Sequence, residues 1–177
     1  MIAGRWMQPG KPLNGLTEGG LTDGGLMEDA LRVRRAVFVE EQGFPAGTEP
    51  DALDAQSWQL VLYEDGAPVG AGRIYWAEGD FHLGRVCVLR SARGRGVGDM
   101  LMRMLIVKGL DHAASSLVLG AQQQAAPFYA RYGFAPEGEP YDEDGVPHCR
   151  MRAPAEALRA LFRGCGGCGG CARGAQA

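Results

Sequence analysis

Arg93-Gly94-Arg95-Gly96-Val97-Gly98 joins two stretches of contrasting pattern. Before it runs Arg85-Val86-Cys87-Val88-Leu89, an apolar β-type segment; residues 99–107 come after it with apolar side chains at helical spacing. A strand, a glycine-rich turn and a helix in that order aim several backbone N–H groups into one small concavity at a helix N-terminus. Unpaired amides and the positive end of the helix dipole bind phosphate oxygens in such a place. Glycine removes the Cβ atoms that would hold a ligand off, and two arginines add charge. The chemistry implied is recognition of a small pyrophosphate-bearing ligand. The spacing Gly94-x-Gly96-x-Gly98 is neither the G-x-G-x-x-G of dinucleotide binding nor the G-x-x-x-x-G-K-[ST] of a P-loop.

Periodicity outlines the elements that must position this turn. A short strand is expected near 5–8, then a glycine-rich loop over 10–25. Leu26, Ala30, Leu31, Val33, Val37 and Phe38 recur at helical spacing, predicting one amphipathic helix over 26–41. Strands are expected at 57–63, 69–76 and 81–89, with hairpin turns at Asp65-Gly66 and Gly79-Asp80. Next come a helix over 96–112, a strand at 116–119 and a helix over 122–132. Two short strands around Glu143-Asp144-Gly145 and a helix over 154–162 complete the pattern. The expected organisation is an N-terminal stretch (1–25), one domain (26–162) and a disordered Gly/Cys-rich tail (163–177). A meander of strands succeeded by alternating helices and strands predicts an α+β (mixed α/β) fold. Its central, mostly antiparallel sheet has six to seven strands flanked by helices. The repeated strand–helix units of a doubly wound fold are missing before residue 80.

Composition narrows the partners. The chain of 177 residues suits one domain, and a formal net charge of −3 gives no reason to expect nucleic acid. No apolar run reaches the roughly 18–20 residues of a membrane span, and no signal-like N-terminus is present. Five cysteines, one of them Cys87 in an expected core strand, point to a reducing cytoplasm rather than a disulfide framework. Cys165, Cys168 and Cys171 lack a fourth ligand and a local scaffold, so no metal site is expected.

With these elements in place, the chain resembles the GNAT superfamily of acetyl-CoA-dependent N-acetyltransferases. Residues 93–98 fit that family's [RQ]-x-x-G-x-[GA] signature between a strand and a helix. Phe128-Tyr129-Ala130-Arg131-Tyr132-Gly133-Phe134 looks like its F-Y-x-x-x-G-F element. Val37-Phe38-Val39-Glu40-Glu41-Gln42 with Glu49, Asp51 and Asp54, together with Ala121-Gln122 and the segment 141–151, is similar to the ElaA-like branch. The chain departs from that branch at Gln56-Ser57-Trp58, where a histidine is usual.

The resemblance implies a GNAT-type acyl-CoA N-acyltransferase fold and acetyl-CoA as cosubstrate, with no metal. The acceptor would be an amine on a small molecule or a protein, and the chain a monomer or homodimer. Arg93, Gly94, Arg95, Gly96, Val97 and Gly98 would hold the pyrophosphate, with Phe128 beside the cofactor. Val86, Cys87 and Val88 would offer backbone groups to the pantetheine arm, and an N–H near Val88 would polarise the thioester. Tyr129 is the expected general acid, with Tyr132 second to it. His82, near the start of the central strand, and Glu41, at the end of the first helix, are rival general bases. His148 is expected to line the acceptor pocket or to stabilise its turn. Two other readings are a catalytically idle acyl-CoA-binding domain, acting as sensor or partner-binding module, and an acyl-homoserine-lactone synthase.

Overall fold

The computed structural model describes residues 1–10 and 23–163. The expected cysteine-rich tail and most of the glycine-rich loop lie outside the described residues. Strand β1 (Ile2–Met7) is followed by helix α1 (Asp23–Arg34), which runs into a π turn (Arg35–Glu41). Next come β2 (Trp58–Glu64), β3 (Ala67–Ala77), β4 (Asp80–Val88), α2 (Val97–Asp111) and β5 (Ser116–Gln122). Helix α3 (Ala126–Ala130), strands β6 (Ala135–Pro136), β7 (Tyr141–Glu143) and β8 (Val146–Pro154), and helix α4 (Ala155–Arg163) complete the chain order.

The sheet has eight strands in the order β1-β2-β3-β4-β5-β8-β6, with β7 on β8. One strand more than expected arises because the segment after α3 forms two short strands beside the long β8. All neighbours are antiparallel except β4 and β5, which α2 connects as a crossover. The three hairpins close through Asp65-Gly66, Glu78-Gly79 and Asp144-Gly145, each pair with positive φ at both residues. That is the turn whose twist matches paired strands, and it is why Asp65-Gly66 and Asp144-Gly145 were legible; the second hairpin turns one residue before the expected Gly79-Asp80.

Side chains alternate across the sheet. Leu60 and Leu62 of β2 face α2, where Leu101, Met102, Leu105 and Ile106 are fully buried. Val61 and Tyr63 face α1 and pack with Leu26, Ala30, Val33 and Val37. Helices on both faces make β2 an almost unbroken apolar run, and they fix the central strands that carry the site. No helix among the described residues is long and apolar enough to cross a membrane.

Candidate active site

The site begins where β4 and β5 part. They pair only at Phe81, His82 and Leu83, opposite Leu117, Val118 and Leu119. Immediately beyond, Arg73 of β3 faces Gly84 while Ala71 faces Cys87, so Arg85 and Val86 together oppose Gly72 alone. This β-bulge holds Arg85 at φ 52° and bends β4 away from β5. Leu89 N–H turns back to Val69 O (2.9 Å), so strand alternation directs the N–H and C=O of Val88 into the gap. The Val88 carbonyl accepts a hydrogen bond from Arg93 Nε at 3.0 Å.

At one end of the gap lies a cleft of about 600 Å³, bounded by Val86, Cys87, Val88, the glycine turn, Phe128 and Tyr129. Gly94 (φ 75°) and Gly96 (φ 81°) adopt left-handed conformations with open space where a Cβ would stand. Among the described residues no protein group accepts from the N–H of Gly94, Arg95, Gly96, Val97 or Gly98. Gly96 caps α2 without a side-chain hydrogen bond, leaving the helix N-terminus facing the cleft. Both arginines of the turn are already paired: Arg93 with Glu41 (2.7 and 2.8 Å) and Arg95 with Glu64 (2.9 and 2.7 Å). The anion-binding capacity of the turn therefore rests on its amides. Arg131 also lines the cleft, with its guanidinium over the Phe128 ring at 5.4 Å and 3.7 Å from Asp99.

At the other end lies a polar pocket of about 350 Å³, and Val86, Ala125 and Tyr129 line both cavities. Its floor is a buried ion network. Arg34, fully buried, grips Asp54 through both terminal nitrogens (2.7 and 3.0 Å) and also meets Glu49. Arg73 bonds Asp51 (2.7 Å) and Asp54 (2.8 Å), while Arg85 meets Glu49 (2.6 Å) and Asp51 (2.7 Å). Burial opposes the charge on Asp54, but the Arg34 and Arg73 guanidiniums hold its carboxyl well below the usual range. Gln122 donates to Gln42 (2.8 Å), tying β5 to the end of the π turn beside the pocket.

The candidates from sequence separate in space. Tyr129 is 9% exposed, and its hydroxyl makes no hydrogen bond among the described residues. Burial, with the Cys87 thiol nearby, pushes its pKa above the ordinary phenol value. Tyr132 instead donates to Asp99 at 2.7 Å, away from the junction. Burial also pushes the Cys87 thiol up to about 12. His148 is buried, lines the polar pocket and stacks on Tyr141 (5.7 Å between centroids).

Neither candidate base lines the polar pocket itself. His82 borders an adjoining cavity with Glu78, Glu137 and Arg150, which shares Leu53, Tyr75, Leu119, Gly120 and Tyr141 with the polar pocket, and it stacks on Tyr75 at 5.4 Å. Burial first, then Arg150, lowers its pKa. Glu41 does not line the polar pocket; Arg93 binds it and lowers its pKa. The cause is the π turn, where Gln42 N–H bonds Val37 O (3.0 Å), five residues back. One extra residue per turn rotates the succeeding side chains by about 100° from the α-helical register.

Sequence reading assigned no role to Arg85, Arg73, Tyr75, Tyr141 or Arg131. The Glu49, Asp51, Asp54 spacing was the available signal for the floor, since buried acids require buried cations. Arg131 stands three residues after Phe128 on a helix, a spacing that places both on one face.

Comparison with known proteins adds an independent line. The family described as "Acetyltransferase (GNAT) domain" matches residues 36–154. The uncharacterized N-acetyltransferase YjcF of Bacillus subtilis is 42% identical over 126 residues, covering 71% of this chain and 90% of that protein. Protein ElaA of Escherichia coli is 35% identical, covering 68% of this chain and 82% of that protein. The crystal structure of Escherichia coli ElaA superposes with a TM-score of 0.70 and 30% identity, covering 86% of this chain and 99% of that one.

Proposed function

The chain belongs to the GNAT acetyltransferase family, and from that premise we propose that it moves the acetyl group of acetyl-CoA directly to a primary amine while both substrates are bound. One observation carries this reading: the glycine-turn cleft and the polar pocket meet at the gap between β4 and β5, with Tyr129 at the junction. The amides of residues 94–98 and the N-terminus of α2 suit a pyrophosphate. The unpaired edge of β4 suits the pantetheine amides, received like an added strand. Val88 N–H then stabilises the negative charge that gathers on the thioester oxygen. Glu41 serves as a positioning residue, holding the arginine that bridges the turn to Val88.

Tyr129 keeps its proton at neutral pH and delivers it to the departing sulfur as the C–S bond breaks. Direct transfer is supported by Cys87, a buried thiol whose raised pKa denies it thiolate character. The acceptor in this reading is an amine on a small molecule or on a protein.

Replacing Tyr129 with Phe tests the acid while keeping the packed ring. We expect kcat to fall about 100-fold, with acetyl-CoA affinity within about two-fold of the unmodified protein by calorimetry. Undiminished turnover in that variant removes Tyr129 from the mechanism.

A further inference from the structure

An amine arrives at neutral pH largely as its ammonium ion and must lose a proton before it attacks. We propose that His148 is the general base that takes this proton, an inference resting on the amine-transfer reading above. His148 Nδ1 lies 2.8 Å from Val146 O. A carbonyl oxygen has only lone pairs, so Nδ1 must carry the hydrogen of that bond. In that tautomer Nε2 carries the lone pair, and it has no hydrogen-bond partner among the described residues. The ring lines the same pocket as Tyr129, and the stack on Tyr141 together with the Val146 bond fixes its orientation. His82 borders a cavity that neither Tyr129 nor Val86 reaches.

The charges around His148 suit a proton acceptor. Glu143 Oε2 stands 4.0 Å from Nε2, too far to occupy its lone pair. Asp144 flanks it from the same turn. On the floor opposite, the charge of Arg85 is already met by Glu49 and Asp51.

The proton balance closes. Nε2 removes one proton from the ammonium, and the freed nitrogen forms the N–C bond as the C–S bond breaks. Sulfur takes the Tyr129 proton, the second proton of the nitrogen restores the phenol, and His148 returns the first to solvent. One proton is released per acetyl group transferred.

The test uses the full chain, acetyl-CoA and two acceptors, one an ammonium ion and one already neutral at the assay pH. His148→Asn retains a donor for Val146 O but has no lone pair at the Nε2 position. We expect kcat/KM to fall about 100-fold for the ammonium acceptor and less than about three-fold for the neutral one, with acetyl-CoA affinity preserved. Equal losses for both acceptors, or no loss, would overturn the proposal. Glu143→Gln, on an exposed side chain, supplies a second reading: kcat/KM should fall for the ammonium acceptor and hold for the neutral one. Equal effects on both acceptors contradict a role for Glu143 beside this base. If the unmodified chain acetylates no amine of either kind, amine transfer itself is wrong; normal transfer by His148→Asn removes only this base.

Discussion

At the scale of single residues, conformation decides more than charge. The arginines of the glycine turn advertised a phosphate site in the sequence, yet each guanidinium is bound to a carboxylate, Glu41 or Glu64. What the turn offers is backbone, and Gly96 is the residue that frees it. Its φ of 81° lies in the left-handed region, where a side chain costs about 1–2 kcal/mol. Gly96→Ala should therefore lower stability by about 1 kcal/mol and also place a methyl group in the anion cradle. Calorimetry should show acetyl-CoA binding weakened by at least about ten-fold, a larger change than the stability loss alone would produce. Unchanged affinity would mean that the amides do not hold the pyrophosphate. The glycine pattern was readable because left-handed φ has a sequence signature. The pairing of Glu41 with Arg93 was not, because it joins residues 52 positions apart.

At the scale of elements, irregularities build the site: a π turn, a β-bulge and a loop pinned by ions. The hairpins were legible because two-residue turns demand particular residues. The π turn was hidden because apolar spacing over 26–41 fits an α-helix equally well, and tertiary contacts choose between them. The bulge at Arg85 and Val86 likewise depends on the loop that carries Glu49, Asp51 and Asp54. That loop gives the fold a specific acid sensitivity. The folded-state pKa of Asp54 lies below its unfolded value, and burial works against this while Arg34 and Arg73 impose it. Such a group contributes its full stabilisation above the unfolded pKa of about 3.9 and loses it as pH falls further toward the folded value. Thermal melts should therefore show Tm dropping below about pH 4. Asp54→Asn should cost about 3 kcal/mol at neutral pH, because it takes from the buried Arg34 and Arg73 the carboxylate they share and leaves them Glu49 and Asp51, and should flatten the acid slope. An acid slope identical in both proteins would contradict the network.

At the scale of the whole molecule, the sheet sets two different surfaces against each other across one gap. Arg90, Arg93, Arg95 and Arg131 gather near the glycine turn, whereas Glu139, Asp142, Glu143 and Asp144 gather on the exposed segment around β7. Glu41, Glu64 and Asp99 offset Arg93, Arg95 and Arg131 at the first end, whereas the acidic segment at the other end suits a cationic group. The strand–turn–helix unit and the mostly antiparallel sheet were legible from periodicity and turn chemistry. The polar pocket was not, since its walls come from the π turn, β3, β4, β5, α3, β7, β8 and the loops between them, which only the fold assembles. The proposed function stands or falls on direct acetyl transfer across the gap, and reaction stoichiometry probes that step. Acetyl-CoA and an amine panel should be mixed with the chain while free thiol, acetylated amine and intact protein mass are followed together. Direct transfer requires amine-dependent thiol release, one acetylated amine per thiol, and a protein mass that never changes. An acetylated protein intermediate, or no amine-dependent thiol release from any acceptor, would contradict it.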